Sequence, residues 1–284
     1  MPRGWREGII LVSPKQIILE AQRGKYAVGA FNTSDLETTK AIIAAAEALK
    51  SPVIVQVSEK AISYAGLEEI SEIVQQAAKK SFVPIGLSLD HGSNLEIVSK
   101  CAREGFTAVM FDGSKLTFSE NAILTAQAVK IAHSYGATCE GELGNVSKTR
   151  DEKKFTNPLE VPQFVRETGV DFLAVAIGSS HGHEAEEELD IDLLRKIRRK
   201  TSIPMVLHGG SGVAEKDIKK AIINGICKIN IDTDIRHTFT KAIHEISKKF
   251  SDLEDPRDIM KKVMAEIQII VEEKIRVFGS DGKA

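Results

Sequence analysis

Eight short apolar segments alternate with helical patterns along the chain, and this alternation restricts the fold more than any other feature of the sequence. The segments are Tyr26–Phe31, Val53–Val57, Ile85–Leu89, Ala108–Phe111, Ala137–Glu140, Phe172–Ile177, Met205–Leu207 and Ile226–Ile231. They recur at intervals of roughly 25 to 35 residues, the length of one strand–helix unit. Ser34 and Glu37 have capping-box spacing ahead of a helix that carries Ile42, Ile43, Ala46 and Leu49 on one side. Further helical patterns cover Leu67–Lys80, Leu95–Glu104, Asn121–Tyr135, Pro162–Thr168, Leu193–Arg199 and Ala214–Asn224. Gly105, Gly136, Gly169 and Gly225 directly follow four of these, where a left-handed residue ends a helix. Strands alternating with helices in this number predict an α/β fold of the (β/α)8 barrel type. The alternative is an open doubly wound sheet, which gathers its key residues near one switch point. Here chemistry-bearing residues follow most of the strands, which favours closure.

The 284 residues suit one barrel domain over 1–284, with C-terminal helices from about residue 235. Ile235–Phe250 is one of these helices, and Asp255-Pro256-Arg257 opens another. The second carries Ile259, Val263, Ile267, Ile270, Val271 and Ile275 as a stripe that stops at Gly279. That stripe is expected to cover the barrel or to pack on a neighbouring subunit. Hydrophobic residues make up 42% of the chain, enough for a sizeable core, and charged residues 27%, against wholesale disorder. A net charge of −2 predicts no nucleic-acid partner and no attraction to an anionic membrane. No apolar run approaches the ~18 residues of a membrane span, and the start lacks a signal-peptide core. The three cysteines, Cys101, Cys139 and Cys227, are odd in number, widely spaced and without a CxxC, so they read as buried thiols of a cytoplasmic protein.

The strand ends carry the chemistry. In chain order they offer Asn32, Ser58, Asp90 with His91, Asp112, Glu140 and Glu142, His181, His208, and Asn230 with Asp232. In a barrel all of these converge on the C-terminal face, where active sites form. Of seven histidines, His91, His181 and His208 fall at strand ends. Three imidazoles leave a metal one open position, as in catalytic zinc sites. Taken singly, each such histidine reads as a hydrogen-bonding loop residue; taken together they favour a metal. Asp112 and Glu142 could hold a second cation, orient the histidines, or cap the helices that follow. Gly209-Gly210-Ser211-Gly212 after the seventh strand and Asp232-Thr233 after the eighth occupy the usual phosphate site of such barrels, where free backbone N–H groups and a hydroxyl can ring an anion.

With these residues in view, the chain resembles the class II, metal-dependent ketose-bisphosphate aldolases that act on fructose or tagatose 1,6-bisphosphate. The motifs run in order from about Leu11 to Val277. They are Gly29-Ala30-Phe31-Asn32, Leu89-Asp90-His91-Gly92-Ser93, Phe111-Asp112-Gly113-Ser114, Glu140-Gly141-Glu142-Leu143-Gly144, Ile177-Gly178-Ser179-Ser180-His181-Gly182, Leu207-His208-Gly209-Gly210-Ser211-Gly212, Lys228-Ile229-Asn230-Ile231-Asp232-Thr233 and Asp255-Pro256-Arg257. The resemblance implies a lyase of carbohydrate metabolism that uses one catalytic Zn2+ on His91, His181 and His208. Asp112 and Glu142 match an alternative or second cation position, divalent or monovalent. Asp90 matches the acid that protonates the aldehyde oxygen in condensation. Asn32, Ser58, Asn230 and Asp232 match substrate contacts, with Gly182, Gly210, Ser211 and Thr233 near the phosphate. Arg257 matches an arginine that reaches the distal phosphate from a neighbouring subunit, which implies a homodimer or homotetramer.

Two departures from the family pattern bear on substrate. The family's flexible Gly-Gly-Gln-Glu-Asp loop, whose glutamate moves the C3 proton, is replaced by Asn145-Val146-Ser147-Lys148-Thr149-Arg150-Asp151-Glu152, with Arg150 at the ungapped glutamate position. Asp151 or Glu152 is the expected substitute base. The family's tyrosine after His-Gly-x, often followed by lysine, is replaced by Glu184-Ala185. These changes keep two alternatives open: an aldolase for another phosphorylated sugar, and a weakly active barrel that binds metal and sugar phosphate.

Overall fold

The computed structural model describes residues 11–145, 155–180, 182, 188–249 and 255–284. The eight expected strands form β1 (Val28–Asn32), β2 (Val53–Ser58), β3 (Ile85–Asp90), β4 (Ala108–Phe111), β5 (Thr138–Leu143), β6 (Phe172–Val175), β7 (Met205–Leu207) and β8 (Ile226–Ile231). Each pairs in parallel with the next, and β8 closes on β1 with Val28 opposite Lys228 and Ala30 opposite Asn230. The sheet is therefore a closed (β/α)8 barrel and not an open sheet. No helix among the described residues is long and apolar enough to cross a membrane.

Side chains alternate across a strand, so each strand feeds two cores. Phe31, Val55, Leu87, Val109, Leu173, Leu207 and Ile229 point outward and join the layer under the helices. Val28, Ala30, Ile54, Ala108, Phe172, Ala174 and Val206 form a separate interior cluster. That cluster includes Ile17, Ile18 and Ala21 of α1 (Pro14–Gly24), a helix not anticipated from the sequence. Val12, just before it, donates its N–H to the Ile85 carbonyl at the start of β3 (2.9 Å), so α1 closes the N-terminal end of the barrel. Towards the opposite end the same inward register turns polar: Asn32, Gln56, Ser88, Asp90, Glu140, Glu142, His208, Lys228 and Asn230 are all buried.

The remaining helices are α2 (Leu36–Ala48), α3 (Glu59–Ala65), α4 (Leu67–Ala78), α5 (Leu95–Arg103), α6 (Phe118–Ser134), α7 (Val161–Thr168), α8 (Ile191–Arg198), α9 (Glu215–Ile223), α10 (Thr233–Lys249) and α11 (Pro256–Phe278). The four glycines expected to end helices all have positive φ. The expected Ser34–Glu37 capping box does not form. Asp35 is the extended residue before α2, and its Oδ1 accepts the Thr38 N–H at 2.7 Å. The capping box lies instead at Thr117 and Glu120, before α6. Much of the stripe on α11 is covered by its own chain: Val263, Ile267, Val271 and Ile275 are fully buried, Ile259 and Ile270 half-buried, and α11 packs on α2 and α10.

One polar brace ties the floor together. The buried Asp171 carboxylate accepts from Lys15 of α1 (2.8 Å), faces His133 Nε2 of α6 (2.9 Å) and accepts the Cys139 N–H of β5 (2.8 Å). Burial pushes this carboxyl up, but these partners outweigh it and hold it below the ordinary carboxylate range. A depressed folded value stabilises the fold above the unfolded pKa of about 3.9 and is lost as pH falls through the folded one. Asp171→Ala is therefore expected to cost about 2–3 kcal/mol in urea unfolding at pH 7, with the gap to wild type narrowing steadily below pH 4. A constant gap across that range would assign the brace to packing alone.

Candidate active site

The polar register opens at the C-terminal ends of the strands. β3 ends at Asp90, and His91 follows with φ of 49°, a left-handed conformation in a non-glycine residue. Adjacent strand residues normally face opposite sides; the left-handed turn breaks that rule at a position where backbone strain serves side-chain placement. The chain then rejoins β4: Gly92 donates its N–H to Met110 O (3.1 Å), and Asp112 donates its N–H to Gly92 O (2.9 Å). A Cβ at position 92 would lie 2.5 Å from Met110 O, so only glycine fits.

His91 Nδ1 sits 2.8 Å from Asp112 Oδ2 and 3.9 Å from Glu142 Oε2. Burial favours the neutral imidazole, but Asp90, Asp112 and Glu142 outweigh it and push His91 up to about 10. Asp112 also accepts the Ser114 N–H (3.0 Å). Its carboxyl is held well below the usual range, because His91 and Ser114 overcome the opposing effect of burial. The helix-capping reading of Asp112 and Glu142 is overturned: Thr117 caps α6, and Glu142 is a buried residue inside β5.

His208 follows β7 and is fully buried. Its Nε2 lies 2.7 Å from Glu140 Oε1, while Glu140 Oε2 accepts from Lys228 Nζ at 2.7 Å. This turns His208 Nδ1 towards Glu142 Oε2, 3.7 Å away. The His91 and His208 rings meet edge to face with centroids 4.7 Å apart. His91, Glu142 and His208 each offer one ligand atom, and these atoms lie within 4.8 Å of one another. Two imidazoles and one carboxylate form a donor set suited to a divalent transition metal. His181 lies outside the described residues, as do Asp151 and Glu152. Ser180, the described residue before His181, packs its carbonyl on Gly209, where a Cβ would come within 2.1 Å of it.

Asp90 is the third buried carboxylate. Its Oδ2 accepts from Asn32 Nδ2 (2.8 Å), and its Oδ1 accepts from Gln56 Nε2 and Asn230 Nδ2 (both 3.3 Å). Burial pushes its carboxyl up, but His91, His208, the Asn32 bond and Lys228 together draw it below the ordinary range. Among the described residues, the buried Asn32 Oδ1, Gln56 Oε1 and Asn230 Oδ1 atoms have no hydrogen-bond partner.

The expected anion loops also meet. Gly210–Gly212 forms a 3-10 turn, and Ser211 Oγ accepts the Asp234 N–H (3.3 Å) in the first turn of α10, which begins at Thr233. Gly182 is described and has a φ of 135°. Three expected substrate contacts are otherwise engaged. Ser58 Oγ accepts the Ala61 N–H (3.3 Å) at the start of α3. Asp232 accepts from Arg236 Nε (2.9 and 3.0 Å). The exposed Arg257 bonds Asp255, with Nη2 to Oδ2 at 2.6 Å.

Sequence reasoning passed over Gln56 and Lys228 and gave Glu140 no role. The signal for all three was parity: each stands two positions before a chosen residue on the same strand face. The cysteines are buried, and burial pushes the Cys101 and Cys227 thiols up to about 12 and about 11, respectively, so neither supplies a thiolate.

A closed (β/α)8 barrel with a histidine–carboxylate cluster that could hold a metal ion, beside a buried aspartate, has the layout of a metal-assisted enzyme. The model of the family "Fructose-bisphosphate aldolase class-II" matches residues 12–283, and the chain belongs to that family of lyases. It is 43% identical over 283 residues to the fructose-bisphosphate aldolase of Geobacillus stearothermophilus, covering 96% of this chain and 99% of that one. It is 39% identical over 306 residues to the fructose-bisphosphate aldolase of Thermus caldophilus, covering 97% and 100%. Among solved structures, the YdjI aldolase from Escherichia coli K12 superposes with a TM-score of 0.87 at 35% identity, over 96% of this chain and 99% of that one.

His208→Ala is expected to leave the barrel folded and to weaken divalent-metal binding at least ~100-fold, the scale of losing a metal-directing group. Metal analysis after dialysis measures it; an unchanged metal content would remove His208 from the ligand set.

Proposed function

We propose that this protein is a zinc-dependent aldolase that reversibly cleaves a ketose 1,6-bisphosphate, of fructose or tagatose type, to dihydroxyacetone phosphate and an aldehyde. The observation that carries the reading is the convergence of His91, Glu142 and His208 within 4.8 Å, beside an Asp90 carboxylate held by three amides. His91 and His208, with His181, would hold the Zn2+, and Glu142 would offer a further ligand position. When bound, the ion supplies Lewis-acid stabilisation of the negative charge left on the dihydroxyacetone phosphate half.

This chain's residues do the rest. Asp90 as carboxylate takes the C4 hydroxyl proton in cleavage and returns it to the aldehyde oxygen in condensation. The amides of Asn32, Gln56 and Asn230 fix that carboxylate, and their vacant carbonyl oxygens are acceptors for substrate hydroxyls. Ser211, Gly210, Gly182 and Thr233 ring one phosphate at the α10 N-terminus. Ser58 and Asp232 contact the substrate once released from their present bonds. Arg257 serves the distal phosphate of a neighbouring subunit in a homodimer or homotetramer, and the enzyme acts in the cytoplasm. Asp151 or Glu152 exchanges the C3 proton. Asp112 steadies His91 and can share a second cation with Glu142. Arg150 and the Glu184-Ala185 pair favour a second reading, an aldolase whose acceptor aldehyde differs from the family's.

A coupled assay over a panel of ketose phosphates tests the proposal, with Asp90→Ala expected to lose about 10²–10⁴-fold in kcat at unchanged metal content. EDTA should abolish wild-type cleavage, and borohydride should trap nothing; Lys228, the buried lysine among the described residues, is held on Glu140. A trapped adduct would reverse the mechanism class. The C3 base is read by detritiation of dihydroxyacetone phosphate. Alanine at both 151 and 152 is expected to stop exchange, and exchange at the wild-type rate would place the base elsewhere.

A further inference from the structure

Glu140 stands behind a metal-directing histidine, and its far oxygen is held by a lysine. His208 Nε2, Glu140 and Lys228 Nζ form a chain with two links of 2.7 Å. The three side chains are at most 1% exposed, so no water competes for either link. The chain joins β7, β5 and β8, three strands of which β5 and β8 are not neighbours. Both Glu140 oxygens are used, which fixes the rotation of the carboxylate as well as its place.

We infer that Lys228 is a positioning residue of the metal centre: acting through Glu140, it holds the His208 imidazole with Nδ1 turned to the cluster. This rests on the metal-dependent reading above. Imidazole presents either nitrogen to an ion, and the bond made by the other nitrogen decides which. Glu140 takes Nε2, so Nδ1 is left to face Glu142 and His91. A buried carboxylate with one imidazole partner and no counter-charge would not hold that orientation, because its desolvation is uncompensated. Lys228 supplies the counter-charge and the second anchor. Its neighbour on the same face, Asn230, braces Asp90 (3.3 Å), so β8 sets both the histidine and the aspartate.

The test is a cycle of Lys228→Met, which keeps the apolar stem volume, Glu140→Gln and the double variant. Each protein is stripped of metal, checked for folding by circular dichroism, and titrated with zinc against a competing chelator. Nitrogen NMR of the His208 ring in the stripped proteins reads which ring nitrogen carries the proton. Each single variant is expected to bind zinc about 10–100-fold more weakly and to show a changed His208 tautomer ratio. The double variant should lose no more than the worse single, because the two residues act in series. Unchanged zinc affinity and tautomer in folded Lys228→Met overturn the inference, as do losses that multiply in the double. If Lys228→Met does not fold, Glu140→Gln decides: wild-type affinity in that variant overturns the relay. A wild-type protein that binds no zinc overturns the metal reading itself, a result distinct from either.

Discussion

The centre of this barrel depends on one buried ionic contact, the Glu140 carboxylate held between Lys228 and His208 at 2.7 Å on each side. A carboxylate at that depth is costly unless paired and hydrogen-bonded, and leaving one partner alone costs about 3–5 kcal/mol. The pair therefore adds little net stability but forbids other arrangements of the strands that carry it. Around it the interior buries Asp90, Glu140 and Glu142 against Lys228, with Asp112 at the rim. That layer has an excess of negative charge. An imidazolium at His91, which Asp90, Asp112 and Glu142 push up to about 10 against the effect of burial, offsets part of it. A divalent ion at the same cluster would serve the same electrostatic purpose.

The apolar half of the interior makes the polar half possible. Ile17, Ile18 and Ala21 of α1 pack with Phe172, Ile54 and Val206 and keep water from the N-terminal end. The carboxylates above thus sit on a buried apolar floor, where hydrogen bonds between ionised groups are strong. The outward strand residues separately bind the helices, so the side chains that shape the site are not the ones that hold the helices in place. This division is the reason strand ends can vary in chemistry without loss of the barrel.

Most of the architecture was legible in the sequence, because short apolar runs, helix-ending glycines and strand spacing are local signals. All eight strands lie where those runs are, although β5 extends to Leu143 and so takes in both Glu140 and Glu142. What was not legible depended on partners distant in sequence. α1 was not anticipated, and the apolar side formed by Ile17, Ile18 and Ala21 has no visible counterpart until the barrel floor it covers is known. Ser34 and Asp35 compete for one cap, and the extended backbone at Asp35 decides between them. The α11 stripe has the same pattern whether it meets a second subunit or its own α2. Glu140 and Lys228 are 88 positions apart, and nothing local marks either as half of a pair. His91 and His208 were singled out because their residue type and strand-end position coincide, and the structure brings these two together. Glu140, which is bonded to His208, was given no role, because a carboxylate on a strand looks the same whatever it faces.

Three carboxylates of similar burial illustrate how environment assigns chemistry. Glu140 faces a lysine and an imidazole; both its oxygens are committed, so it can only support. Glu142 faces two imidazoles at 3.7 and 3.9 Å, longer than direct hydrogen bonds, and with them forms the group of ligand atoms within 4.8 Å of one another. Asp90 faces neutral amides, two of them at 3.3 Å, contacts weak enough to be exchanged for a substrate hydroxyl without exposing an unpaired charge. A group that moves protons must change charge during turnover. His91, His208 and Lys228 favour the charged form of Asp90 from a distance, but its direct hydrogen-bond partners, Asn32, Gln56 and Asn230, are neutral, whereas Glu140 is bonded directly to a lysine. By that criterion Asp90 is the one of the three fitted to carry a proton, and the strand that follows His208 in sequence supplies, at Lys228 and Asn230, the partners that separate the supporting role from the active one.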